Sequence, residues 1–387
     1  MSSPISDRLP PWWEPRTAYI HIPFCAHHCG YCDFAVTAGQ DHLIELYLEA
    51  LELELATLER PRSVESLFIG GGTPTHLRPP QLARMLAAVR HWFPDEPREF
   101  SIESTPDSLD ADRVTVLAEY GVNRVSIGVQ SFQADLLHAL DRQHGVSQIG
   151  RAVDAVRAKI ARISFDLIFA APGQTLTQWD ADLSAALAIA PDHLSTYGLT
   201  YEKGTPLWKD RQRGQVRPVP EDDELTMYLH AIDQLHAAGF EHYEISNFAK
   251  PGQRSIHNQR YWANEAYFGL GVGAARYIGG HRELNVRDTM LYIRKLLAEE
   301  SPTFQSEELP PRERAFETVA TQLRRIDGIE RTRFREQTGF ALDALLGNRL
   351  GGMVAEDLLS DNGVSVRLTR RGTCVADGII ADLMKDV

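Results

Sequence analysis

Cysteine is scarce: the chain has four in 387 residues, three of them within the eight positions from 25 to 32. Such crowding is a poor plan for disulfides and a good one for a metal site in a reducing compartment. Long apolar runs are lacking too, and no stretch approaches the ~20 residues of a membrane span. The first fifteen residues carry Pro10, Pro11, Trp12 and Trp13 but no basic-then-apolar leader pattern. A cytoplasmic location is the expectation, with at most a peripheral contact with a membrane. Basic residues are the minority, 40 Lys and Arg against 53 Asp and Glu, giving a formal net charge of −13. A phosphate backbone meets repulsion over most of such a surface, so nucleic acid is a disfavoured partner. No repeat of solenoid length occurs, and only the Pro-rich start hints at low complexity.

What is present has the proportions of a soluble globular protein, with 43% hydrophobic and 24% charged residues. A chain of this length buries one large core and carries a smaller appendage. β-rich segments at 18–22, 66–69, 99–103, 124–130, 163–169 and 193–200 alternate with amphipathic stretches at 43–58, 81–92, 113–120, 149–159 and 177–189. That alternation predicts a parallel sheet covered by crossover helices. Six such units make three-quarters of the eightfold closed form, so the expected class is α/β, a partial (β/α)6 TIM-like barrel with its chemistry at the C-terminal strand ends. The rhythm breaks at Pro206, Pro218 and Pro220, before a helix-like 221–238, a β-like 241–248 and a Gly-rich stretch. From Pro310, a helix, a helix-like 340–359 and a strand-like 364–368 predict a small winged-helix-like domain. The expected division is an N-terminal arm at 1–17, the barrel core at 18–250, a barrel extension at 251–309 and the C-terminal domain at 310–387.

The first predicted strand leads through Tyr19-Ile-His-Ile-Pro-Phe into Cys25-Ala-His-His-Cys29-Gly-Tyr-Cys32, a C-x3-C-x2-C loop at the barrel mouth. Thiolates suit iron–sulfur clusters, and Cys25, Cys29 and Cys32 can hold three irons of a [4Fe–4S] cube while the fourth stays open to a ligand. A zinc site completed by His27 or His28 is the alternative. Cys374, alone on the C-terminal unit, reads as a structural thiol. The second strand runs into Gly70-Gly71-Gly72-Thr73, where glycine lets the backbone approach a ligand. Glu103, Gln130 and Asp166 fall at strand ends, and Arg142 follows the fourth strand. Taken singly, each would serve equally as a cap or a surface ion pair.

Together, the cysteine loop, the glycine triplet and the polar strand ends resemble the radical S-adenosylmethionine (SAM) superfamily, in its coproporphyrinogen-oxidase-like branch. The resemblance covers nearly the whole barrel. It implies a [4Fe–4S] cluster served by an electron donor, with the open iron chelating the amino and carboxylate groups of SAM. The resemblance also implies that the reduced cluster would cleave the sulfonium to a 5′-deoxyadenosyl radical. Implied cofactor contacts are Tyr19, Gly71, Gly72, Thr73, Glu103, Gln130, Arg142 and Asp166. The fork of Arg142 suits the methionine carboxylate, and the carboxylates and amide suit ribose hydroxyls.

Within this branch, oxygen-independent coproporphyrinogen III oxidases decarboxylate two propionates, whereas heme chaperones bind and transfer finished heme. The oxidases resemble C-x3-C-x2-C-x-C and carry a long extension before the first strand; here Asp33 and Phe34 follow Cys32, and the strand is reached at once. The segment His257-Asn258-Gln259-Arg260-Tyr261-Trp262 is similar to the H-N-x-x-Y-W motif of the chaperones. The resemblance implies heme as cargo, no coproporphyrinogen oxidase activity, and a recipient hemoprotein such as a membrane-bound respiratory enzyme. His257 is the first choice of axial ligand, Asn258 shares its motif, and Tyr261 and Trp262 offer flat faces to a macrocycle. The bland alternative is a packed aromatic wall. No catalytic residue is assigned, and pairing into a homodimer stays open. An RNA-modifying radical enzyme is opposed by the acidic balance and the absence of a basic, aromatic-rich patch.

Overall fold

The computed structural model describes residues 12–385, so residues 1–11 of the expected N-terminal arm lie outside the described residues. Nine strands form the central sheet: β1 (Thr17–Ile22), β2 (Ser66–Gly71), β3 (Glu99–Ser104), β4 (Arg124–Gln130), β5 (Arg162–Phe169), β6 (His193–Gly198), β7 (Glu241–Glu244), β8 (Asn247–Ala249) and β9 (Phe268–Leu270). Their spatial order is β9-β1-β2-β3-β4-β5-β6-β8-β7. The first six run parallel, β9 joins β1 in parallel, and β8 and β7 turn back antiparallel at the far edge. The partial barrel expected from the alternation is present, widened at both edges. The single strand read over 241–248 is two short ones, and three-residue β9 lies in the Gly-rich stretch.

Strand alternation decides which side chains meet the site. On β1, Ala18, Ile20 and Ile22 are fully buried under the helices, while Tyr19 lines the inner face. The same division puts Leu67 and Ile69, Phe100 and Ile102, and Val125 and Ile127 in the core. Phe68, Glu103, Arg124, Ser126 and Asp166 then point inward. The strands thus bury an apolar outer face against helices and leave a mostly polar inner one. Crossover helices start where the sequence supplies caps: Asp110 accepts from Arg113 N, and Thr175 and Gln178 form a capping box.

Beyond β9, the strands β10 (Ala275–Ile278), β11 (His281–Asn285) and β12 (Thr303–Glu308) form an antiparallel meander. Its first turn is the two-residue Gly279-Gly280, both at positive φ, as such hairpins require. Helix Pro311–Gln322 opens a C-terminal unit with its own core around Phe316, Phe334 and Val366. There β13 (Ile329–Glu330) pairs with β15 (Ser365–Leu368), which also forms the wing hairpin with β14 (Leu359–Asp361). The helix read over 340–359 is broken into Leu342–Leu346 and Asn348–Ala355, because Gly347 takes φ 57° and ψ −138°. Among the described residues, no helix is long and apolar enough to cross a membrane.

Candidate functional site

One cavity of ≈ 1030 Å³ occupies the inner face of the sheet, and the candidate ligand and cofactor residues read from the sequence line it. These are Cys25, Cys29 and Cys32; Tyr19, Gly71, Gly72, Thr73, Glu103, Gln130, Arg142 and Asp166; and His257, Asn258, Tyr261 and Trp262.

The cysteine loop is pinned along its length. Gly72 N donates to Ile22 O and Thr73 N to Phe24 O, both at 2.8 Å, and Leu207 N reaches Gly30 O at 2.9 Å. Thr73 Oγ1 donates to Cys25 Sγ at 3.6 Å, and Arg142 Nη1 to Cys29 Sγ at 3.3 Å. His27 Nε2 is 3.0 Å from the Asp141 carboxylate and His28 Nε2 is 3.0 Å from Cys32 O. Burial pushes the Cys25 thiol up to about 12 despite the Thr73 contact, and a metal ligated there has to displace a proton. A Cβ on Gly72 would lie 2.6 Å from Pro23 O and 2.8 Å from Cys25 Sγ, so only glycine permits this approach.

Behind the loop stand two buried carboxyls. Gly71 N donates to Glu103 Oε2 at 2.9 Å, and Ser126 Oγ is 3.3 Å from both oxygens of Asp166. Burial, and then the charge of Asp166, raise Glu103 to about 7; burial raises Asp166 as well. Such a pair favours a cationic ligand, which would offset the cost of their charge. Burial opposes the charge on Arg142, but Tyr31, Cys29 and Asp107 outweigh it and hold the guanidinium protonated. Gln130 takes φ 66° where the β4 register shifts, a left-handed bulge that brings its side chain to the cavity.

The third group stands on helix Ile256–Trp262. Positions 257, 258, 261 and 262 are related by one turn, so they form one face, and all four line the cavity. Gln259 and Arg260 do not: Gln259 Nε2 donates to Ser255 O at 3.2 Å, and Arg260 pairs with Glu65 and Glu265 at 2.6 and 2.7 Å. The buried Glu99 carboxylate accepts from Ser255 Oγ at 3.0 Å, Ile256 N at 2.8 Å and His257 N at 3.2 Å, which fixes the start of the helix. Its end is held by the C-terminal unit, where Gln322 Nε2 and Gln337 Nε2 donate to Ala263 O at 3.0 and 3.1 Å. The His257 ring packs on Phe68 at 4.8 Å between centroids, and desolvation lowers its pKa to about 4. Nδ1 meets Thr17 Oγ1 at 2.8 Å, leaving Nε2 of a neutral imidazole with no hydrogen-bond partner among the described residues.

Residues 19–186 match the Radical SAM superfamily, and residues 309–375 match the HemN C-terminal domain. The heme chaperone HemW of Bacillus subtilis is 36% identical over 379 residues, 96% of this chain and 100% of that one. This chain belongs to the HemW family. HemW of Escherichia coli is 31% identical over 380 residues, 95% of this chain and 97% of that one. The solved coproporphyrinogen III oxidase (HemN) of Escherichia coli, a radical SAM enzyme, matches with a TM-score of 0.84 at 23% identity, over 97% of this chain and 91% of that one. At that identity the likeness is one of fold. The cysteines and all eight cofactor candidates fall within 19–186, whereas 257–262 lies between the two matched ranges and is spanned by the HemW relatives.

For a HemW-family member, the radical SAM superfamily implies a [4Fe–4S] cluster and SAM, and the cavity has the donor set for both. Three thiols, a glycine cradle beside Cys25 and a pair of buried carboxyls are its elements. Sequence reading missed several residues. His21, neutral and buried with Nε2 2.8 Å from Ala35 O, backs Gly71, where a Cβ would lie 2.5 Å from its ring. The period of β1 could have found it, since His21 is two residues from Tyr19. Glu99 and Arg124 share the period of the inward residues Glu103 and Ser126, whereas Arg324 carried no such signal.

Proposed function

We propose that this HemW-family protein is a heme chaperone that binds heme in the cavity and delivers it to a recipient hemoprotein, a membrane-bound respiratory enzyme being the expected acceptor. The single observation that carries the reading is the face of helix Ile256–Trp262, where unpartnered His257 Nε2 stands in line with Asn258, Tyr261 and Trp262. A neutral imidazole offers a lone pair to iron, and flat rings beside it pack a macrocycle. Cys25, Cys29 and Cys32 hold the [4Fe–4S] cluster, and Tyr19, Gly71, Gly72, Thr73, Glu103, Gln130, Arg142 and Asp166 hold SAM. When bound, these groups supply one-electron chemistry, for which a reductant is a further partner. The protein's own part is to orient them: Arg142 donates to Cys29, Gly72 keeps the backbone clear of Cys25, and Glu103 and Asp166 receive positive charge. The site of action is the cytoplasm, at or near the membrane face.

The test is a titration of heme into anaerobically reconstituted protein, followed by Soret absorbance. A saturable 1:1 complex is expected, and His257→Ala should change its spectrum or weaken it roughly tenfold or more. Incubation with coproporphyrinogen III, SAM and a competent reductant should release no carbon dioxide. Sustained decarboxylation, or no saturable heme complex, would overturn the proposal.

A further inference from the structure

Among the described residues, four arginines line the cavity: Arg113, Arg124, Arg142 and Arg324. Three are committed to the barrel. Arg113 pairs with Asp110 and donates to Leu77 O, Arg124 Nη1 is 3.3 Å from Ser101 Oγ, and Arg142 is divided between Cys29 and Gly128 O. Arg324 differs in origin and in the exposure of its ion-pair partner. It comes from the C-terminal unit, just past helix Pro311–Gln322, and enters through a short backbone graft onto the edge of the sheet. Ile245 N donates to Arg324 O and Ile326 N to Tyr243 O, both at 3.1 Å.

The guanidinium of Arg324 lies 5.1 Å from the ring centre of Trp262, the last residue of the His257 face. Nη1 donates to Asp377 at 2.6 Å, a carboxylate whose side chain is 86% exposed. So open a pair is easily exchanged. Nε is buried with no hydrogen-bond partner, and Nη2 has none among the described residues. Nη2, with Nη1 once it leaves Asp377, presents the end of a guanidinium fork to a carboxylate. The carboxyl near it, Glu244, is already used by Ser246 N and Asn247 Nδ2.

We propose that Arg324 binds a propionate of the tetrapyrrole cargo, so that the C-terminal domain completes the heme pocket and selects for free carboxylates. This rests on the heme-cargo reading above. The step from His257 to Trp262 is about 7.5 Å along the helix axis. It therefore sets the guanidinium beside the rim of a macrocycle whose iron meets His257. Trp262 has both roles, packing the ring and orienting the cation.

The experiment crosses two changes. Wild type, Arg324→Ala and Arg324→Lys are each titrated with heme and with heme dimethyl ester, whose propionates carry no charge. Wild type should prefer heme over the ester by roughly ten- to a hundred-fold, the range of a charge-assisted hydrogen bond. Arg324→Ala should lose that preference by weakening heme alone, with its affinity for the ester within about threefold of wild type. Arg324→Lys should keep part of the preference, since it restores the charge without the fork. Equal binding of heme and ester by wild type would overturn the propionate contact. Equal weakening of both ligands in Arg324→Ala would make the residue structural and overturn it too. Wild type that binds neither would overturn the cargo reading itself, and this inference with it.

Discussion

Arg142 Nη1 donates to the sulfur of Cys29 at 3.3 Å while Nη2 holds Gly128 O at 2.9 Å. The guanidinium is therefore tied to a proposed cluster ligand as well as facing the cavity, and its loss reaches further than SAM binding. Hydrogen bonds and positive charge at cluster sulfurs stabilise the reduced state. Arg142→Ala should thus move the cluster's reduction potential to a more negative value and weaken SAM, with Arg142→Lys between. Redox titration followed by electron paramagnetic resonance measures this, and an unchanged potential in Arg142→Ala would count against the contact.

Two glycines separate local crowding from backbone preference. A Cβ at Gly72 meets Pro23 O and Cys25 Sγ, whereas Gly150, inside helix Val146–Arg157, has nothing within 4 Å of an added Cβ. Gly72→Ala should take up less iron and sulfide on reconstitution. Gly150→Ala should take up the wild-type amount and be more stable by about 1 kcal/mol, the helix-propensity difference between alanine and glycine. Wild-type iron content in Gly72→Ala would show that the loop relaxes around the methyl group.

Much of the site was legible because chemistry and chain period coincide. Three cysteines in one loop, a glycine triplet after a strand and carboxyls at strand ends are local patterns. The H-N-x-x-Y-W spacing is legible for the same reason, since one helical turn relates the four residues that share the face. Arg324 was not legible, because it enters from a domain some sixty residues further along through two backbone hydrogen bonds that leave no mark on sequence period. Glu99 was hidden at the start of β3, far from the strand ends where chemistry was expected. The break at Gly347 was missed because a lone glycine in an apolar stretch reads as a tolerated helix residue until its φ and ψ are known.

Glu99 accepts three donors from residues 255–257, and Gln322 and Gln337 hold the opposite end of the same helix. Glu99→Ala strands those donors in a buried site and should cost roughly 2–3 kcal/mol of stability. It should also weaken heme, because the backbone that aims His257 is released. Gln337→Ala removes one amide whose contacts to Ala263 O and Asn264 O are 3.1 and 2.9 Å, while Gln322 still holds Ala263, so its effect should be smaller, near 1 kcal/mol. Urea denaturation paired with heme titration checks both, and a Glu99→Ala protein with wild-type heme affinity would sever the carboxylate from the function of the helix.

The buried carboxyls make a pH prediction whose sign is fixed by their direction. Burial raises Glu103 and Glu244 from 4.5 to about 7, so the native state holds each proton more tightly than the unfolded chain does. The stability each contributes is full below about 4.5 and is lost as pH rises through about 7. His21, His144, His242 and His257 run the other way, since burial lowers each from 6.5 to about 4. They contribute stability above about 6.5 that is lost as pH falls through about 4. Replacing Glu103 by Gln isolates one group: the amide keeps an acceptor for Gly71 N but cannot ionise, and the histidines and Asp166 remain in both proteins. For the metal-free protein, Glu103→Gln should match wild type in urea at pH 5 and exceed it at pH 8 by on the order of 2 kcal/mol. A stability difference that stays flat from pH 5 to pH 8 would mean that Glu103 is already ionised in the folded cavity, and would remove it as an acceptor poised for a cationic cofactor.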